Sequence, residues 1–489
     1  MSKRVAIIGA GFSGLSASCY LAKQGLNVSV YEKHAGPGGR AGILKEDGFT
    51  FDLGPSWYWM PDIFENFFND FNKSASDYYK LKRLDPSYRI FYDKLDYIDI
   101  HASWDKLKEL FEKLEPGSSK NLKKFLNDAE LKYKIGVHNA AMKPGLSLLE
   151  YIDLEILIGF LHLDVLKPIS KHINKLFSHE KLVRMLEFPV LFLGSTAQRI
   201  PSLYSLMNYA DLVQGTFYPE GGFYSVIQGF YEQAKSLGVS FHFNAEVEQI
   251  NIENKKASSI NVNNEKINVD YILASADYYH IEKDLLQKKY RNYSEKYWEK
   301  REMAPSALLM FLGFNKKIEK LLHHNIFFDE ELNDHAHQIY NDPMWPTKPC
   351  VYISCNSKTD STASPKGCDN LVALIPVASG LKDSAEIKEK YLNYVIDKIE
   401  KNTGERIRSN LTYKKIYANS DFSQLFNAYN GNAYGLSNIL RQTGILKPKL
   451  RNRKVKNLFY AGQLTVPGPG VPPAILSGKI VANELLKMV

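Results

Sequence analysis

Val5-Ala6-Ile7-Ile8-Gly9-Ala10-Gly11-Phe12-Ser13-Gly14, then a helical pattern as far as Gly25, then Asn27-Val28-Ser29-Val30-Tyr31-Glu32, is the stretch whose reading decides the fold. Val5 to Ile8 is a short continuous apolar run, as a strand buried on both faces of a parallel sheet requires. Leu15, Ala17, Leu21 and Ala22 repeat at helical spacing, and residues 27–31 read as a second strand. Each glycine between strand and helix has a task. Gly9 permits the tight turn, Gly11 lets the backbone approach a pyrophosphate, and Gly14 lets the helix pack closely on the strand. Ala10, Phe12 and Ser13 complete a turn that leads into a helix N-terminus, which offers free N–H groups and partial positive charge to phosphates. Glu32 is placed to accept hydrogen bonds from ribose hydroxyls and to repel a 2′-phosphate, with Lys33 beside it. A lone GxGxxG says little. Strand, helix, second strand and terminal acid in register specify a dinucleotide site.

Beyond Glu32 come Lys33-His34-Ala35-Gly36-Pro37-Gly38-Gly39-Arg40 and Gly48-Phe49-Thr50-Phe51-Asp52-Leu53-Gly54-Pro55-Ser56. A glycine-rich loop with an arginine and a β-hairpin pattern stand where an NAD-linked half would enter another crossover helix. Arg40 is placed to neutralise diphosphate charge. At the far end, Asn457-Leu458-Phe459-Tyr460-Ala461-Gly462-Gln463 reads as a strand ending at Gly462. A Pro/Gly-rich loop containing Gly470, Val471 and Pro472 then reverses the chain into a helix over 474–488, and proline suits its first turn. In between, Tyr218-Pro219-Glu220-Gly221-Gly222 opens a helix over 223–237. Residues 239–244 and 245–250 read as strands, and 271–277 as a buried strand end. Val247 is placed to hold an adenine edge through its backbone.

The 489 residues allow two to four structural units. With 44% hydrophobic and 24% charged residues, a disordered, collagenous or disulfide-framework chain is excluded. The 12% aromatic content suits large apolar binding surfaces and core packing alike. Cys19, Cys350, Cys355 and Cys368 lack CxxC spacing and read as free thiols in a reducing compartment. No HExxH or comparable ligand pair occurs, so no metal is expected. The N-terminus runs straight into a strand pattern, and no uncharged stretch reaches about 18 residues, so neither a signal peptide nor a transmembrane helix is expected. A net charge of +8 permits attraction to anionic surfaces and equally serves solubility.

Taken together, the chain resembles the phytoene-desaturase-like family of FAD-dependent carotenoid desaturases, within the amine-oxidase-like superfamily. The N-terminal fingerprint, Gly38-Gly39-Arg40, the hairpin with Gly54-Pro55, and Tyr218-Pro219-Glu220-Gly221-Gly222 carry the resemblance. His323-His324-Asn325-Ile326-Phe327-Phe328 and Pro365-Lys366-Gly367-Cys368-Asp369-Asn370-Leu371 are less generic. The closing loop Gly468-Pro469-Gly470-Val471-Pro472 also matches, although the family's commoner form has a small residue at Pro469 and glycine at Pro473.

The resemblance implies an α/β fold with a Rossmann-like FAD-binding domain assembled from residues 1–59, 216–289 and 436–489. An α+β substrate-binding domain from 60–215 and 290–435 would include a helical, membrane-contacting subdomain at about 100–190. Non-covalent FAD would be held by Gly9, Ala10, Gly11, Phe12, Ser13, Gly14, Glu32, Lys33, Gly39, Arg40, Gly54, Pro55, Ser56, Val247, Gly462, Gln463, Gly470, Val471 and Pro472. No cysteine lies near Gly462 to form a thioether. The closing helix would aim its N-terminus at the isoalloxazine and stabilise negative charge on the reduced ring. The implied reaction passes a hydride from an allylic C–H to FAD while a proton leaves the neighbouring carbon. This describes phytoene desaturation and 1-hydroxycarotenoid 3,4-desaturation equally. It needs a dry channel rather than a nucleophile or metal, and no catalytic residue is assigned. The implied partners are a carotenoid, a membrane touched peripherally from the cytoplasm, and oxygen or a quinone as electron acceptor, with no nucleic acid.

Outside these motifs, 104–114, 122–131 and 146–166 show apolar residues at helical spacing. The last reads either as a core helix or as one that dips into a membrane interface. Residues 307–312 and 371–375 read as strands walling an apolar tunnel. His323 and His324, adjacent in an extended segment, are expected to face opposite sides as structural residues. The basic run from Arg441 through Lys447 to Lys456 reads as a solvated loop or as attraction to anionic lipid. Two other readings stay open: an oxidase of amines or porphyrinogens, and a non-catalytic prenyl-lipid binding protein. The intact glycine, Glu32 and Arg40 set argues against the second.

Overall fold

The computed structural model describes residues 2–151, 165 and 167–489. Its mixed α/β architecture matches the fold class expected. A five-stranded parallel sheet has the order Leu458–Tyr460, Tyr271–Ala274, Arg4–Ile8, Asn27–Tyr31, Ser240–His242. The alternation inside the first strand shows why it is apolar throughout. Val5 and Ile7 join the core under the helix Phe12–Lys23, whereas Ala6 and Ile8 join a separate core with Val247, Ile250 and Ile260. That second layer is an antiparallel sheet of Val247–Glu253, Lys256–Val262 and Glu265–Asn268.

The helix Phe12–Lys23 is gripped through two glycines. A methyl group at Gly14 would overlap the Gly9 carbonyl oxygen and sit 2.9 Å from Ser275 Oγ. One at Gly478, in the closing helix Val471–Leu486, would overlap the Ser13 carbonyl oxygen. Ser16 Oγ donates to the Ile475 carbonyl at 2.8 Å, so the C-terminal helix is tied directly to the first one. That helix begins three residues before the expected start, because Pro472 and Pro473 fit within its first turn.

A seven-stranded sheet has the order Leu411–Tyr417, Ser306–Phe314, Asp369–Val377, Val351–Ser354, His324–Phe327, Tyr88–Asp93, Asp96–Ile100. One face, bearing Leu308, Met310, Ile353 and Ile375, packs on Val395, Ile396 and Ile399 of the helix Ala385–Thr403. The other, bearing Ala307, Leu309, Phe311, Tyr352 and Leu374, joins the core that runs to the nucleotide-binding half. The two wall strands are longer than expected because their flanking residues, Ser306 and Asp369 among them, are also buried and paired.

Trp104–Leu114 has the bounds expected, and Ser118–Tyr133 extends the expected 122–131 in both directions. Of the expected helix at 146–166, Leu148–Tyr151 forms a 3-10 turn, while 152–164 and 166 lie outside the described residues. Among the described residues no helix is long and apolar enough to cross a membrane. None of their His, Cys, Asp and Glu gather in threes as a metal site. The four cysteines are free.

Candidate functional site

A cleft with about 1700 Å³ of empty volume, part of it open to solvent, runs from the first strand's turn to the seven-stranded sheet. Gly9, Gly11, Phe12, Ser13, Glu32, Lys33, Gly39, Arg40, Gly54, Pro55, Val247, Gly462, Gln463, Gly470 and Val471 line it. Four other expected residues do not. Ala10 is buried behind the turn and donates its N–H to Glu32 Oε2 at 2.8 Å. Gly14 is consumed by helix–strand packing. Pro472 lies in the helix, and Ser56 turns away to Tyr352, 2.8 Å from its hydroxyl.

The turn itself is an open cradle. A methyl group at Gly11 would meet nothing within 4 Å, so the backbone there faces empty cleft. Gly9 has φ +101°, a left-handed conformation that side chains disfavour. Glu32 Oε1 accepts from His34 N–H at 3.0 Å, so with Ala10 on its other oxygen the carboxylate is fixed by two backbone donors. Each oxygen keeps a lone pair for a hydroxyl.

Arg40 crosses the cleft wall half-buried, with its Nε shielded from solvent. One of its terminal nitrogens donates to the Asn432 carbonyl at 3.3 Å, and the guanidinium lies 5.4 Å from the Phe426 ring centre. Its Nε has no hydrogen-bond partner. Burial lowers its pKa, and the charge of Asp277 opposes that shift. Asp277, itself buried, is pushed up by desolvation and held down in turn by Arg40, and its Oδ2 has no partner. The two side chains form no ion pair within 4.0 Å among the described contacts, so a cation is held in the wall with donor capacity unspent.

The closing segment differs from expectation in one respect. Pro472 and Pro473 carry no N–H, and the N–H of Ala474 is bonded to the Gly470 carbonyl at 3.0 Å. Val471 is therefore the one residue of that first turn whose N–H can be turned to a ligand. The dipole remains, but most of its donors are gone.

Ala307, Leu309 and Leu374 line the cleft from the two strands expected to wall an apolar tunnel, whereas His280, Phe426, Asn427, Ala433 and Tyr434 line it with no motif in the sequence. Asp277 follows a strand end that is legible, so an acid at a strand's C-terminal edge was the available signal. Asn432, fully buried, bridges Arg40 and Gln463, whose Nε2 donates to its Oδ1 at 3.1 Å. Nothing in the sequence marks it.

The adjacent histidines do not face opposite sides. His323 precedes the strand that begins at His324, and the two rings meet edge to face at 4.5 Å. The basic run is not one solvated loop either. Lys447 is buried with its Nζ 3.2 Å from Asn438 Oδ1, and desolvation lowers its pKa to about 8. Lys449 donates to the carbonyls of Gly145 and Ile445 at 2.9 and 3.0 Å. Arg441, Arg453, Lys454 and Lys456 are exposed.

A parallel sheet with a glycine cradle, facing a mostly antiparallel sheet across one long cleft, defines a dinucleotide-dependent oxidoreductase architecture. The model of the flavin containing amine oxidoreductase family matches residues 12–486. The chain is 38% identical over 484 residues to a carotenoid 3,4-desaturase of Haloarcula japonica, covering 99% of this chain and 98% of that one. It is 30% identical over 502 residues to a 4,4'-diapophytoene desaturase of Staphylococcus aureus, covering 99% of each. A crystal structure of an oxidoreductase from Methanosarcina mazei superposes with a TM-score of 0.64 at 16% identity, covering 98% of this chain and 100% of that one. The chain belongs to the flavin containing amine oxidoreductase family, in its carotenoid-desaturase branch. It is an oxidoreductase whose cofactor is FAD. The site fits that group: the space at Gly11 and the unspent donors of Arg40 suit a pyrophosphate, and no cysteine lines the cleft.

Proposed function

We propose that the chain desaturates a carotenoid, with the 3,4-bond of an acyclic or monocyclic substrate as the target. The observation that supports this most is the full-length 38% identity with a protein named for that reaction. Gly11, Arg40, Gly462, Gln463 and Val471 hold FAD, with Glu32 on its ribose and Val247 at its adenine edge. Bound FAD supplies a two-electron acceptor, so that a CH–CH unit held against it becomes C=C with loss of a hydride and a proton. Ala307, Leu309 and Leu374 form the apolar wall that keeps water from the polyene. An earlier desaturation is the second reading, favoured by the 30% identity with a diapophytoene desaturase. Expression in cells that accumulate phytoene, and in cells that accumulate a late acyclic carotene, followed by pigment chromatography, tests both. Conversion of the late carotene alone is expected. Conversion of phytoene to lycopene or neurosporene favours the second reading, and no change in either pigment refutes the proposal.

The polyene reaches the cleft from a membrane that the protein touches peripherally. Leu149, Leu440, Leu446 and Leu146 are 73%, 50%, 50% and 42% exposed. They sit on two segments that pack together where Gly145 meets Gly444 and Lys449 bonds to Gly145. Arg441 is exposed next to Leu440, where it also pairs with Glu302, so a cation adjoins the leucines. Each leucine entering the acyl boundary contributes about 1 kcal/mol. Replacing all four by serine is expected to lower co-sedimentation with phosphatidylglycerol vesicles by about tenfold or more, at an unchanged melting temperature. Equal co-sedimentation would place the membrane contact elsewhere.

A further inference from the structure

The closing loop is backed by a buried cation that has no counter-charge. Lys447 is 2% exposed, and its Nζ donates to Asn438 Oδ1 at 3.2 Å. That is its one hydrogen bond among the described residues, and no carboxylate pairs with it there. An ammonium carries three donors, so most of its capacity is unspent. The two other lysines buried among the described residues are treated differently. Lys398 Nζ lies 2.5 Å from Asp329 Oδ1, and Lys132 Nζ donates to the Ser202 carbonyl at 3.0 Å and to Ser205 Oγ at 3.2 Å. Desolvation lowers the Lys447 pKa to about 8, which leaves the group protonated at pH 7.

The ammonium presses on the loop at Gly468, where a methyl group would lie 3.2 Å from Nζ and 3.2 Å from Asn438 Oδ1. The residue after it, Pro448, accepts from Thr465 Oγ1 at 2.8 Å. Thr465 and Gly470 line the cleft and Lys447 does not, so the charge stands behind the loop, shielded from water. At this same loop Pro472 and Pro473 have cost the closing helix its N–H donors. What remains of the helix dipole is about half an elementary charge, whereas the ammonium is a whole one in a poorly screened place. A buried charge without a partner costs stability. Negative charge in the cleft would supply the partner it lacks.

We propose that Lys447 sets the reduction potential of the flavin from behind the closing loop. It favours the negative charge that the reduced ring gathers over the neutral oxidised ring, and so makes FAD the stronger oxidant of the polyene. It touches neither substrate nor cofactor and acts through its field. This rests on the reading above that Gly462, Gln463 and Val471 hold the flavin end of FAD.

The test is the midpoint potential of the FAD-loaded protein at pH 7, measured anaerobically by equilibration with a redox dye. Lys447→Met keeps the length of the side chain and removes its charge. Asn438→Asp keeps the lysine and sets a carboxylate against it. Each is expected to weaken the binding of reduced FAD by about tenfold relative to oxidised FAD, a fall of about 30 mV for a two-electron couple. Asn438→Ala removes the hydrogen bond but not the charge, and is expected to leave the potential where it is. An equal fall in that variant would assign the effect to packing and overturn the proposal. Apo Lys447→Met is expected to melt no lower than the wild type, because an unpaired buried charge is gone. A merely structural lysine would do the opposite, lowering the melting temperature and leaving the potential alone. Gln463→Leu reports where the ring lies, through a shift of the oxidised flavin band. Unchanged potentials in Lys447→Met and Asn438→Asp, with that band shifted, overturn the proposal alone. Unchanged potentials with the band unmoved overturn the placement of the ring as well.

Discussion

Gly11→Val is expected to give a folded but colourless protein. Gly11 has φ −79° and ψ 179°, an extended backbone that valine adopts without strain, and a methyl group there meets no protein atom within 4 Å. The substitution therefore leaves the fold alone and fills the cradle. A pyrophosphate pushed out by a side chain's width loses backbone N–H bonds worth about 1.5–3 kcal/mol each, so FAD affinity falls by about a hundredfold or more. Gly14→Ala, three residues away, is expected to do the reverse. Its methyl collides with the Gly9 carbonyl oxygen, which is backbone and cannot swing aside. Overpacking of that kind costs about 3 kcal/mol. Thermal melting of the apo-proteins together with the flavin content of the purified ones separates the two effects. A Gly11→Val protein that holds stoichiometric FAD would show that the pyrophosphate lies elsewhere.

Arg40→Met is the second large effect. The half-buried guanidinium spends one bond on the Asn432 carbonyl and leaves Nε unpaired, so in the apo-protein it is not a strong source of stability. Towards a diphosphate it is, because two charge-assisted bonds together are worth about 3–6 kcal/mol. The expected result is a hundredfold or greater loss of FAD affinity with a fold that survives. Asp277 gives the variant a pH signature. Burial already raises its pKa, and Arg40 is the main influence opposing that shift. Without Arg40 the folded-state pKa rises further above the unfolded value. The carboxyl then costs nothing at low pH, where both states are protonated, and destabilises the fold as pH rises. Apo Arg40→Met should therefore lose melting temperature with rising pH more steeply than the wild type. Parallel pH profiles would contradict the proposed opposition of the two groups.

What could be read in the sequence was what lies close together along the chain. Gly9, Gly11 and Gly14 sit within six residues because one turn needs all three, and Glu32 follows at the distance of one helix and one strand. The helix Trp104–Leu114 is legible to the residue because its apolar stripe carries Leu107 and Phe111 inward and little else. What could not be read was set by sheet register. Leu309, Leu374 and Tyr352 come from three strands, and only their pairing puts them in one row beside Ser56. Asn432 joins Arg40 to Gln463 from a segment with no periodicity at all. The basic run misleads for a different reason. Composition marks Lys447 as solvated, but the chain folds it against Asn438 behind the closing loop. Pro473 was visible as a departure from the family's loop, and its consequence, the loss of a helix N–H, follows once the helix is seen to begin at Val471.

The central claim, that this cleft lets FAD oxidise a polyene, is tested most directly by anaerobic mixing of the FAD-loaded protein with a late acyclic carotene in vesicles. The oxidised flavin band should bleach in one-to-one proportion with a red shift of the polyene spectrum, which marks one new conjugated double bond. A flavin that stays oxidised with every carotene offered, or that is reduced instead by an amine, would contradict it.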